Sequence, residues 1–112
     1  MIEASRVELV SGETEVIQTP TASGRGQKIT RCANCKIAVW SNYGGAGDAI
    51  RFVRVGTLAS PDAFAPDIHI YTSTKQDWVQ LSGQIPEVEE YYSSREYWPA
   101  ESLERLKRLR SG

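Results

Sequence analysis

The chain is poor in metal ligands, and it has nothing that would insert it into a membrane. Its 112 residues include two cysteines, one histidine and one methionine. Two cysteines three positions apart, rather than an even set scattered along the chain, fit a reducing compartment and not a disulfide framework. Apolar runs extend over only a few residues, so none has the length to cross a bilayer. The start, Met1-Ile2-Glu3-Ala4-Ser5-Arg6, lacks the basic patch followed by an apolar stretch that a secretory signal requires. These absences predict a cytoplasmic protein. Net charge is also nearly absent: 13 Lys and Arg against 14 Asp and Glu leave −1. Neither nucleic acid nor an acidic membrane surface is therefore an expected partner.

What is present is the composition of an ordinary soluble protein, with 40% hydrophobic and 24% charged residues. A chain of this length fits one domain and is expected to bury a core of its own without obligatory staples.

The stretch Arg31-Cys32-Ala33-Asn34-Cys35-Lys36-Ile37-Ala38-Val39-Trp40 organises the chemistry. A Cys-x-x-Cys turn presents two sulfurs from one tight knuckle, which is half of a tetrahedral zinc site. Cys32 and Cys35 are therefore the candidate metal ligands. Three readings of the pair stand open: a zinc knuckle or its remnant, reduced cysteines in a turn, and a redox pair. A redox Cys-x-x-Cys places its first thiolate at a helix N-terminus, whereas the β-branched and aromatic content of Ile37, Val39 and Trp40 predicts a strand.

The remaining pattern is β-rich. Val7, Leu9 and Val16 about a turn at Ser11-Gly12-Glu13-Thr14 predict a hairpin over residues 6 to 19. The segment Thr19 to Gly26 reads as an exposed loop, and Gln27 to Arg31 as a short strand leading into the knuckle. Glycine-rich Asn42 to Asp48 reads as a hairpin connection rather than a phosphate loop, because a further alternating strand, Ile50 to Val55, follows it where a helix would be needed. Arg51 and Arg54 on that strand are expected at solvated edges. Ser60 and Pro61 can open one helical turn. Asp67 to Tyr71 is expected as a strand carrying His69, a hydrogen-bonded structural residue rather than a ligand. Trp78 is expected to be buried. The tail turns helical at Pro99, with Glu101 and Glu104 near the start, Arg105, Lys107, Arg108 and Arg110 near the end, and a Leu103, Leu106 and Leu109 stripe. Such a helix docks on its own sheet or on a second subunit.

In order and spacing, Cys32-Ala33-Asn34-Cys35, Gly56-Thr57-Leu58 with Pro61, Pro66-Asp67-Ile68-His69-Ile70, Trp78 and Ile85-Pro86 resemble the C-terminal half of the glutathione-dependent formaldehyde-activating family, the CENP-V/GFA domain. Val10-Ser11-Gly12-Glu13 resembles the segment just before that family's second Cys-x-x-Cys. The resemblance covers roughly residues 5 to 92. It implies a mainly β, Mss4-like fold of antiparallel sheets with zinc as cofactor, and carbon-sulfur lyase activity that adds glutathione to formaldehyde. The implied domain spans residues 1-92, with a helical extension over 93-112. Cys32 and Cys35 match one of the family's cysteine pairs, with Lys36 where a glycine usually follows. No residue matches the other cysteines, including those of the catalytic zinc, and no catalytic residue is assigned. Carboxylates such as Asp48 or Asp67 are the available substitutes.

Three functional expectations follow. One is a family member with a half zinc site per chain, without the lyase activity, in which a two-fold homodimer completes a Cys₄ centre. The second is a lyase acting on a glutathione-type small molecule, whose cysteine-rich segment lies upstream of Met1. The third is a non-enzymatic protein-interaction module.

Overall fold

The computed structural model describes residues 1–112, which gather into two units, Met1–Pro61 and Asp62–Gly112. The first unit is built on an antiparallel sheet of five strands: β1 (Ile2–Glu3), β2 (Thr14–Thr19), β3 (Gln27–Cys32), β4 (Ala38–Tyr43) and β5 (Ile50–Val53), in the order β1-β5-β4-β3-β2. Turn formers between the strands allow each to fold back on its predecessor, so β2 to β5 form a meander. Register follows from the two-residue alternation of side chains. Val16, Thr30, Trp40 and Val53 line up across one face, and Ile17, Ile29, Ser41 and Phe52 across the other. The pairing shifts between Thr30 and Arg31, where Thr30 opposes Trp40 and Arg31 opposes Ala38. Val39 is the extra residue, and its carbonyl accepts the Arg54 N–H at 2.9 Å.

The expected hairpin over residues 6 to 19 does not form. Residues 4–6 make a 3₁₀ turn, 7–13 are irregular, and β2 pairs with β3 along its whole length. The Val7 carbonyl is taken by the Arg51 guanidinium and not by a ladder, and the outer edge of β2 stays open. Arg51 and Arg54 are also not merely solvated. The Arg51 guanidinium stacks 4.3 Å from the Trp40 ring centroid and donates through Nη1 to the Val7 carbonyl at 3.1 Å. Arg54 Nη2 donates to Ser41 Oγ at 2.9 Å, and Ser41 is 0% exposed. Each arginine supplies a donor that a backbone carbonyl or a buried hydroxyl needs.

The expected self-contained core is small. Ile50 is the one buried hydrophobic residue, joined by the polar Thr30 and Ser41. Tyr43 and Phe52 add an edge-to-face pair at 4.7 Å.

The chain passes from the first unit into the second through a 3₁₀ turn at Pro61–Ala63, which begins where Ser60 and Pro61 suggest one. Asp67 to Tyr71 is not a strand of a sheet. It forms a single parallel bridge, His69 with Glu87, supported by His69 N–H to Pro86 carbonyl and Val88 N–H to His69 carbonyl, each 2.9 Å. The segment ends at Tyr71, whose φ of 53° is incompatible with continued extension. Trp78 is 78% exposed, against its expected burial, because the residues on either side run through turns without strand partners. The tail carries a short helix, α1 (Ser94–Tyr97), and then α2 (Ala100–Ser111), with Pro99 as its N-cap. Leu103, Leu106 and Leu109 are half-buried and lie along one side of α2. The protein is thus mainly β with a C-terminal helix. No helix is long and apolar enough to cross a membrane.

Candidate metal centre

The knuckle is the connection between β3 and β4. Cys32 closes β3 and Cys35 stands in the turn that follows. Three backbone bonds shape it: Lys36 N–H to the Cys32 carbonyl at 2.9 Å, Cys32 N–H to the Ile37 carbonyl at 2.9 Å, and Ala33 N–H to the Glu13 carbonyl at 3.0 Å. Lys36 sits at φ 66°, a left-handed conformation that glycine adopts freely and a side chain resists. Lys36 therefore takes the conformation that a glycine would take at this turn. Its ammonium is held by Glu15 Oε1 at 3.0 Å, and the same oxygen accepts Arg31 Nε at 2.6 Å.

Glu15 thus ties the turn to β2. Hydrogen bonds from Lys36 and Arg31 hold its carboxyl below the usual carboxylate range. Sequence reasoning did not find Glu15. The signal was its place one strand away: Glu15 lies directly across from Arg31 in the β2–β3 register.

Both cysteines are free thiols, Cys35 exposed and Cys32 half-buried. The Cys35 N–H donates to Cys32 Sγ at 3.5 Å. The backbone N–H groups of Cys35 and Asn34 draw the Cys32 thiol below its ordinary pKa, which favours the thiolate. The donor chemistry and turn geometry suit a soft divalent ion, because the metal ligand is the thiolate and the turn presents both sulfurs together.

The ligand number does not suit one within a single chain. No group of three or more His, Cys, Asp or Glu residues is placed to hold a metal ion. Asp48 lies at the other end of the strands, bound to Lys28 at 3.0 Å. Lys28 precedes Cys32 by four residues along β3, about 13 Å at strand rise. Asp67 and His69 belong to the other unit. Asp48, the substitute that shares a unit with the cysteines, does not gather with them.

Sheet and knuckle together define a small antiparallel β-domain whose one concentration of chemical function is a cysteine pair on a hairpin. The family model described as Glutathione-dependent formaldehyde-activating enzyme matches residues 1–74, about two thirds of the chain. The chain belongs to this family. The match takes in the whole sheet, the knuckle and His69, and it ends before Trp78 and Ile85-Pro86. No curated protein and no solved structure matches the chain.

Proposed function

We propose that this family domain carries its knuckle as a structural half-site for zinc, completed by Cys32 and Cys35 of a second copy, and that as a single chain it does not perform the family's carbon-sulfur lyase reaction. The observation that carries the reading is the cysteine inventory: two in the chain, both in one turn. A zinc that polarises an aldehyde or activates a thiol needs ligands of its own and an open position. A structural centre needs four closed ligands, and these two thiolates are already in use as one half of it. Dimeric completion is supported by the small core and by the number of large apolar side chains left outside it, among them Leu9, Val10 and Ile37.

Metal analysis of purified protein, combined with its mass in solution, tests this directly. About half a zinc per chain in a dimer is expected from the four-ligand rule, with no consumption of formaldehyde and glutathione. A zinc-free monomer overturns the shared centre. Turnover of the two substrates by the chain overturns the inactive assignment.

A further inference from the structure

A second feature lies at the end of the sheet opposite the knuckle and goes beyond the zinc reading. The β2–β3 and β4–β5 connections meet there around an open cavity of about 260 Å³. Its floor is one cross-strand row: Gln18 opposes Lys28, which opposes Asn42. Asn42 is fixed, since its Nδ2 donates to the Ile50 carbonyl at 2.7 Å and to the Asp48 carbonyl at 3.3 Å. Lys28 Nζ bridges both oxygens of Asp48, at 3.0 and 3.3 Å.

Arg25 stands in the wall with no carboxylate bound to it. The two loops are locked so as to hold it there. Gly44 N–H donates to the Gly26 carbonyl at 3.2 Å, and a Cβ on Gly44 would stand 2.6 Å from the Arg25 carbonyl oxygen. Arg25 Nη1 lies across Gly45, 3.1 Å from where a Cβ would be. Only glycine at position 44 lets the Arg25 backbone approach so closely. Arg25 and Lys28 against Asp48 leave the lining one positive charge in excess.

We infer that this cavity is a binding site for a small oxyanion, a carboxylate or a phosphate, with its oxygens on the Arg25 fork and Lys28. Guanidinium presents two parallel N–H groups to a carboxylate or phosphate, and the volume admits only a small molecule. Asp48 limits affinity by competing for Lys28.

Titration of backbone amide resonances with inorganic phosphate and L-malate at constant ionic strength tests the assignment. Phosphate or malate is expected to shift residues 25–28 and 42–48 saturably, with Kd of about 1 mM or tighter. Arg25→Gln, at an exposed side chain, weakens binding at least tenfold without changing the rest of the spectrum. Asp48→Asn tightens it a few-fold. No saturable shift with either phosphate or malate, or an unchanged Kd in Arg25→Gln, overturns the site.

Discussion

At Lys36 two opposing effects meet on one residue. The left-handed backbone disfavours any side chain by about 1 kcal/mol or somewhat more relative to glycine, while the ammonium gains Glu15 as a partner. Lys36→Gly is therefore expected to change stability little in the native background, because strain relief and loss of the ion pair oppose each other. In Glu15→Gln, where the pair is already gone, the same substitution should stabilise by about 1 kcal/mol, read as a shift in the urea midpoint. Equal effects in both backgrounds would show that the pair contributes nothing. The pH dependence has a definite sign. The Glu15 pKa is lowered from 4.5 by its two donors, so its stabilising contribution is present above that value and disappears as pH falls through the lowered pKa. The difference in Tm between native protein and Glu15→Gln should accordingly be full at neutral pH and fade below 4.5. Ser41 and Arg54 make a second residue-scale case. Removing Arg54 leaves a fully buried hydroxyl without its donor, a cost of about 1–3 kcal/mol. Arg54→Ala should therefore destabilise more in the presence of Ser41 than in Ser41→Ala, as a double-mutant cycle in denaturant would report. The cysteines themselves were legible from spacing alone. Glu15 was not, because its role depends on register with Arg31, which no local pattern encodes.

Elements whose signals are local and mutually consistent formed where the sequence places them. β3, the knuckle, β4, the glycine-rich connection and β5 follow one another between Gln27 and Val53, each bounded by its own turn residues. The segments that failed are those whose partner had to be guessed. Val7 to Val10 alternates like a strand, yet the Val7 carbonyl is taken by the Arg51 guanidinium, the outer edge of β2 stays open, and the sheet edge beside β5 is taken by the two-residue β1. Asp67 to Tyr71 has β-branched residues but finds only one bridge. α2 is the opposite situation: Pro99 at the start, Glu101 in the first turn and Arg108 and Arg110 in the last agree with the macrodipole without reference to any neighbour. Glu101→Lys reverses the first of these charges. It is expected to destabilise α2 by about 0.3–1 kcal/mol, visible as reduced helical circular dichroism on heating and diminished at high salt. An unchanged melting curve at low salt would mean that packing of the leucine side, and not the terminal charges, sets the stability of α2.

For the molecule as a whole, the proposed zinc-joined dimer depends on which surface a second copy would use. β2 is an edge strand with Val16 54% and Ile17 36% exposed, and open edges are natural templates for pairing with another chain. Antiparallel pairing of two β2 strands about a two-fold axis would set Thr14 of one copy beside Thr19 of the other. Because Thr14 opposes Cys32, the two knuckles would then point to opposite ends, with their β3 strands about 14 Å apart laterally. Four sulfurs on one zinc must lie within about 4 Å of one another, so an edge-paired dimer cannot build the shared centre. A dimer joined through zinc must bring knuckle to knuckle and leave the β2 edges free. Val16→Lys with Ile17→Lys should therefore leave the dimer intact, whereas Cys32→Ser with Cys35→Ser, or a chelator, should yield monomers by light scattering. Acid should act as the cysteine variant does, since protons compete with metal for thiolates. The lowered pKa of Cys32 moves that competition to lower pH than an ordinary thiol would show. If the cysteine variant stays dimeric while the lysine variant dissociates, the chains associate along β2 and the knuckle holds no shared metal.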